Sequence, residues 1–284
     1  MTAWRDARRR WRDNRMAMAC GVVFLAVAAA CALGPVVAAA AGLDGTTLDT
    51  ELGAVRPSWA HWFGTDTLGR DMLVRVLIGG RIAIVVALVT TVIAVAIGVT
   101  YGAIAAYAGG RIDNLLMRIV DALYGFPAIV FIIVVMAVTG TRSLVALFAL
   151  IGAISWLTMA RITRGQVLAL REGELALAAR ALGASPGRIL VRHVLPNAAG
   201  PVIVYATLAL PQVMITEAFL SFLGLGVQAP LASWGTLVTE GSSQIVVYPW
   251  LLVFPAAVMA IAILSLNFIG DGVRDALDPR TRRL

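Results

Sequence analysis

No lysine occurs anywhere in these 284 residues; all 23 basic side chains are arginine. A Walker phosphate-binding loop needs a lysine to reach the nucleotide phosphates, so this chain does not hold ATP in that way. Histidine is nearly absent: His61 and His193 stand alone, neither belongs to an H-E-x-x-H zinc pair, and no metal site is expected. The only two cysteines, Cys20 and Cys31, share one apolar run. If that run is helical, about 16 Å separates them, well beyond disulfide reach. Charge is scarce as well, at 14% of residues against 60% hydrophobic, with a mean hydropathy of +0.88. That balance excludes an ordinary soluble domain and points to a bilayer. The net charge of +7 carries no nucleic-acid signature, since no RNP-like, zinc-finger or basic-zipper pattern accompanies it.

What is present is a series of apolar runs. About 20 residues cross a bilayer, and six segments reach that scale: 16–41, 82–107, 119–138, 144–160, 200–222 and 250–269. The first follows a basic stretch and exceeds a signal-peptide core of about 7 to 15 residues, so it reads as a retained anchor. The expected fold is all-α, a polytopic membrane protein with six transmembrane helices. Its parts are a basic N-terminus (1–15), a first span (16–41), a loop (42–80), a five-helix core (81–270) and a tail (271–284).

Arginine placement orients the set. Arg5, Arg8, Arg9, Arg10, Arg12 and Arg15 precede the first span, and Arg111 and Arg118 lie between the second and third. Arg161, Arg164, Arg171, Arg180, Arg188 and Arg192 lie between the fourth and fifth, and Arg274, Arg280, Arg282 and Arg283 follow the last. All four groups fall on one side, which the positive-inside rule makes cytoplasmic, with both termini. The opposite loops hold Trp59, Trp62, Trp234 and Trp250, expected as interfacial rings. Gly98 and Gly102 form a GxxxG pair for close helix packing, within the bundle or across a dimer.

The cytoplasmic loop 161–198 is the most informative stretch. Leu175, Ala178, Ala179 and Leu182 recur at helical spacing, giving a short helix with one apolar, small-residue face, while Arg180 projects elsewhere. Gly183 supplies a left-handed stop, Ala184 follows, and Ser185 with Pro186 supplies an N-cap and first-turn proline for a second helix, which Pro196 ends. Such a helix can lie on the membrane, pack on its own bundle or dock into a partner's groove. The same residues match G-x-S-x-G, but that motif needs a strand before its serine and a helix after it. Here a helix precedes the serine and proline follows it, so the match is capping chemistry rather than a nucleophile.

Other polar residues admit two readings. Glu217 is ionisable inside an apolar run, with Ser221, Gly224 and Gly226 beyond it, and reads as a gate or pathway group or as a structural hydrogen-bonding one. Asp66, Arg70 and Asp71 brace the first loop or meet a partner. Asp121 and Arg118 are spaced for an intrahelical ion pair. No catalytic residue is expected.

The stretch "ALAARALGASPGRILVRHVLPN" resembles the cytoplasmic EAA loop of type I ABC-importer permeases, with Leu177 where a glutamate usually stands. "HWFGTDTLGRDMLVRVLIGGRIAI", "YAGGRIDNLLMRIVDALYGFP", "EAFLSFLGLGVQAPLASWG" and "FIGDGVRDALDPR" are similar to the second permease subunit of dipeptide and oligopeptide importers. The resemblance implies the type I importer transmembrane fold and a heterodimer with a homologous permease. It also implies two ABC ATPase domains that bind ATP and Mg in place of this chain, and an extracytoplasmic peptide-binding protein. The helix from Leu175 to Ser185 would be the coupling helix. Nickel and glutathione importers share these signatures and are the alternative. A secondary transporter would show repeats and midplane ionisable groups, and neither is visible.

Overall fold

In a computed structural model the chain is described over residues 9–43, 45–140 and 143–277. Arg5, Arg8, Thr141, Asp278, Arg280, Arg282 and Arg283 lie outside the described residues.

With no water in hydrocarbon, each spanning segment must satisfy its own backbone, and the apolar runs do so as helices. They are α1 (Arg15–Ala40), α2 (Met72–Ala108), α3 (Gly110–Tyr124), α4 (Ala128–Thr139) and α5 (Leu144–Arg171). The short α6 (Glu174–Ala181) and α7 (Pro186–Ile189) lead through a π-turn (Leu190–Val194) into α8 (Leu195–Phe222), followed by α9 (Trp234–Ser242) and α10 (Trp250–Leu277). Among the described residues five helices are long and apolar enough to cross a membrane, or six if the bent pair α3–α4 is one span. Cys20 and Cys31 are free thiols on α1.

The third expected span is therefore not one helix. α3 and α4 meet at 76°. Pro127 lacks an N–H and disfavours helical backbone at Phe126, so the ladder stops there. Pro196, conversely, ends nothing. The π-turn ahead of it widens the backbone, the Leu195 N–H reaches the Leu190 carbonyl, and Pro186–Phe222 runs as one 37-residue segment.

Gly98 and Gly102 pack α2 on α5 within the chain. A Cβ at Gly98 would stand 2.6 Å from Met159 Cβ, and one at Gly102 would run into the Ala160 carbonyl. The main core joins α1, α2, α5, α8, α9 and α10 around Trp234, Met214 and Leu147. Trp234 and Trp250 are thus buried, not interfacial: their indole N–H groups donate to the Val76 carbonyl at 2.9 Å and the Thr65 carbonyl at 3.1 Å. Trp59 and Trp62 are exposed.

Candidate functional site

At one end of the bundle α6 is seated by small side chains. Ala176 and Ala179 are buried in a cluster with Ala103 and Ala106 of α2, Val167 of α5, Ile189 and Val194. Alanines bury little area, but they let the α6 backbone approach closely. Gly183 then ends the helix with φ +77°; the Ala184 N–H bonds the Ala179 carbonyl and the Gly183 N–H bonds the Arg180 carbonyl, each at 3.0 Å. This is the paired closure of a left-handed C-terminus. Pro186 occupies the first turn of α7, while the Ser185 side chain makes no capping hydrogen bond.

The sequence-derived face splits in two. Ala179 turns inward, because the buried face of α6 is Ala176 with Ala179, three residues apart. Leu175, Ala178 and Leu182 turn outward, with Leu182 89% exposed, and Arg180, Gly183 and Ser185 are exposed beside them. Leu177 is half-exposed. This leaves an apolar face bare on a short helix that its own bundle grips from behind.

Arginines bind this end to the bundle. Arg164 makes two 2.6 Å bonds to Asp113 of α3, Arg171 donates to the Ala106 carbonyl at 2.7 Å, and Arg161 pairs with Asp121 at 2.7 Å while lying 4.0 Å over the Tyr124 ring. Asp121 therefore pairs with α5 rather than with Arg118, because the Arg161 guanidinium gains both the carboxylate and the ring face.

Glu217 is 1% exposed and faces α9, not an open passage. Its Oε1 accepts from Ser221 at 2.8 Å and from Ser233, the N-cap of α9, at 2.6 Å. Gly235 brings α9 close enough that a Cβ there would stand 2.5 Å from Ala218 Cα. Gly226 covers Ser221, and exposed Gly224, at φ +76°, turns the chain beyond α8. Glu217, Ser221 and Gly226 tie the end of α8 to the N-cap of α9.

The end of the bundle remote from α6 carries a charged brace that only partly shows in the sequence. Asp66 Oδ1 accepts from the Leu68 and Arg70 N–H groups; its Oδ2 accepts from Arg70 Nε at 2.7 Å and Arg75 Nη1 at 2.6 Å. Arg75 then reaches Glu240 of α9 at 2.9 Å. Asp71 caps α2 through the Val74 N–H and holds His61 at 2.9 Å. The sequence left Asp66, Arg70 and Asp71 either bracing the first loop or meeting a partner; Arg75 and Glu240 were missed, since 165 residues separate them.

A bundle of membrane-length apolar helices with a short helix seated at one end defines the class as a polytopic membrane domain. The fold agrees with that of the MetNI methionine ABC transporter in inward-facing conformations: TM-score 0.58, 19% identity, covering 72% of this chain and 96% of that one. Residues 98–283 match the binding-protein-dependent transport system inner membrane components, and the chain belongs to that family. Residues 2–45 match the N-terminal transmembrane domain of oligopeptide transport permease C. The chain is 41% identical to the oligopeptide transport system permease protein OppC of Bacillus subtilis, covering 100% of this chain and 92% of that protein. It is 44% identical to OppC of Escherichia coli K12 (98% and 92% covered) and 40% identical to the dipeptide transport system permease protein DppC of Bacillus subtilis (98% and 86% covered).

Proposed function

We propose that this permease carries di- and oligopeptides inward across a bacterial cytoplasmic membrane, with both termini cytoplasmic, as half of a heterodimer with a homologous permease. Two ABC ATPase domains on partner chains bind ATP and Mg, and an extracytoplasmic peptide-binding protein delivers cargo. The observation that carries the coupling part is the outward face of α6: Leu175, Ala178 and Leu182 are exposed on a helix held from behind by buried Ala176 and Ala179. Closure of the ATPases moves the docked α6, the segments joined to it follow, and the pathway opens to the loaded binding protein. Coupling then requires that α6 sit differently in the two access states. Peptide cargo is supported by identities of 40–44% to oligopeptide and dipeptide permeases over nearly the whole chain.

The test is uptake of radiolabelled dipeptides, longer peptides and nickel by a strain lacking this subunit. Loss of peptide uptake with nickel uptake intact is expected. Loss of nickel uptake alone rejects the peptide reading in favour of the nickel alternative.

A further inference from the structure

The charged brace borders a cavity of about 340 Å3 between the loop ahead of α2 and the segment from α9 to α10. That volume lies at the lower end of the ~300–1,000 Å3 range typical of small-molecule pockets. Two of its charges are not used up inside the protein. Asp66 spends Oδ2 on Arg70 Nε and Arg75 Nη1, and both its oxygens are engaged. Arg70, with its side chain nine-tenths buried, is thereby clamped through Nε alone, and neither of its Nη nitrogens bonds a described residue. A guanidinium held rigidly by one edge offers its other donors in the fork geometry that fits a carboxylate.

Glu240 lines the same cavity with a side chain 54% exposed. Arg75 holds its Oε2 at 2.9 Å and only grazes Oε1 at 3.5 Å, leaving that oxygen able to accept from an ammonium. Three consecutive hydrogen bonds, Arg70–Asp66–Arg75–Glu240, connect the open cation to the open anion. Leu237 and Leu251 supply apolar wall, and Gln244 a further polar side chain. The charges of Asp66, Glu240, Arg70 and Arg75 cancel, so an acidic side chain alone would leave Glu240 opposed, whereas a zwitterion satisfies both ends.

We infer that this cavity is a short-peptide subsite on the permease itself, with Arg70 receiving the terminal carboxylate and Glu240 the terminal ammonium. The inference rests on the peptide reading above and adds to it a place where cargo is held outside the binding protein.

The experiment measures binding of tritiated dialanine to the complete transporter in nanodiscs without its binding protein. Alongside it run C-terminally amidated and N-acetylated dialanine as competitors, and the Arg70→Gln, Glu240→Gln and Gln244→Trp variants. Saturable binding is expected in the unaltered protein, weakened roughly tenfold or more by amidation or by Arg70→Gln, with no added loss when the two are combined. Glu240→Gln should likewise erase the penalty of acetylation, and Gln244→Trp should block the cavity while leaving the ion network intact. Equal competition by free and amidated dialanine, or an undiminished preference in Arg70→Gln, overturns the subsite. If Arg70→Gln does not assemble, the amidated competitor on the unaltered protein and Gln244→Trp decide the matter. If Arg70→Gln weakens only capture of the binding protein, the arginine serves protein docking and the subsite is rejected. Peptide-stimulated ATP hydrolysis with binding protein present separates the two levels: no stimulation by any peptide rejects the peptide reading, while stimulation without dialanine binding rejects only the subsite.

Discussion

The two short helices at opposite ends of the bundle, α9 and α6, are held by different physics. Around α9, buried charges interlock: Asp66 serves two arginines, Arg75 spans to Glu240, Glu217 joins two serines, and Trp234 and Trp250 anchor through their indoles. At the other end the ion pairs of Arg161 and Arg164 and the Arg171 hydrogen bond join α5 to α3 and α2 rather than to α6, which itself rests on two alanines whose burial contributes only about 1 kcal/mol each. Removing one partner from a buried charge cluster costs far more than that. α9 is thus fixed by the chain's own side chains, whereas α6, on the function proposed above, takes its position as much from the partner on its leucine face. A helix held weakly by its own bundle is suited to following a partner.

Breaking the stronger end should give the largest effect. Asp66→Ala strands Arg70 and leaves Arg75 only Glu240, and should cost about 3–5 kcal/mol, read as a fall in thermal stability in detergent. A loss below about 1 kcal/mol would mean that the charged end is no firmer than the α6 end. Gly102→Leu tests the packing between α2 and α5 by driving a side chain into the Ala160 backbone; about 1–3 kcal/mol should be lost in the same assay. Gly183→Ile meets open space but must adopt φ +77°, a strain of about 1–2 kcal/mol. It should leave membrane insertion intact while abolishing uptake and substrate-stimulated ATP hydrolysis. Leu177→Glu, at a half-exposed position, should change stability by under about 0.5 kcal/mol and preserve uptake. Severe loss of uptake there would show that the surface facing α6 is apolar at that point.

Much of this contrast was legible in the residues. Apolar runs announced the spans, and Gly183 announced its left-handed stop because glycine adopts that backbone without a Cβ penalty. The inward or outward orientation of α6 was not legible: Ala176 and Ala179 compete with Ala178 for burial, and only the docking of α2 and α5 decides between them. Proline was ambiguous for a similar reason. Pro127 breaks its span while Pro196 does not, and the difference lies in the π-turn before Pro196, which local sequence does not reveal. Arg75 and Glu240 stayed hidden because ion pairs between distant segments leave no spacing signal. Glu217 was correctly singled out as unusual, yet its partner Ser233 lies on a helix reached only through the turn at Gly224 to Gly226.

Disulfide trapping in the assembled transporter tests the proposed docking most directly. Cysteines placed singly at Leu182 and Ala178 should capture the ATP-hydrolysing chain, whereas those at Ala176 and Ala179 should not. Absence of capture from Leu182, or equal capture from Ala176, would contradict the assignment of the outward α6 face to the motor.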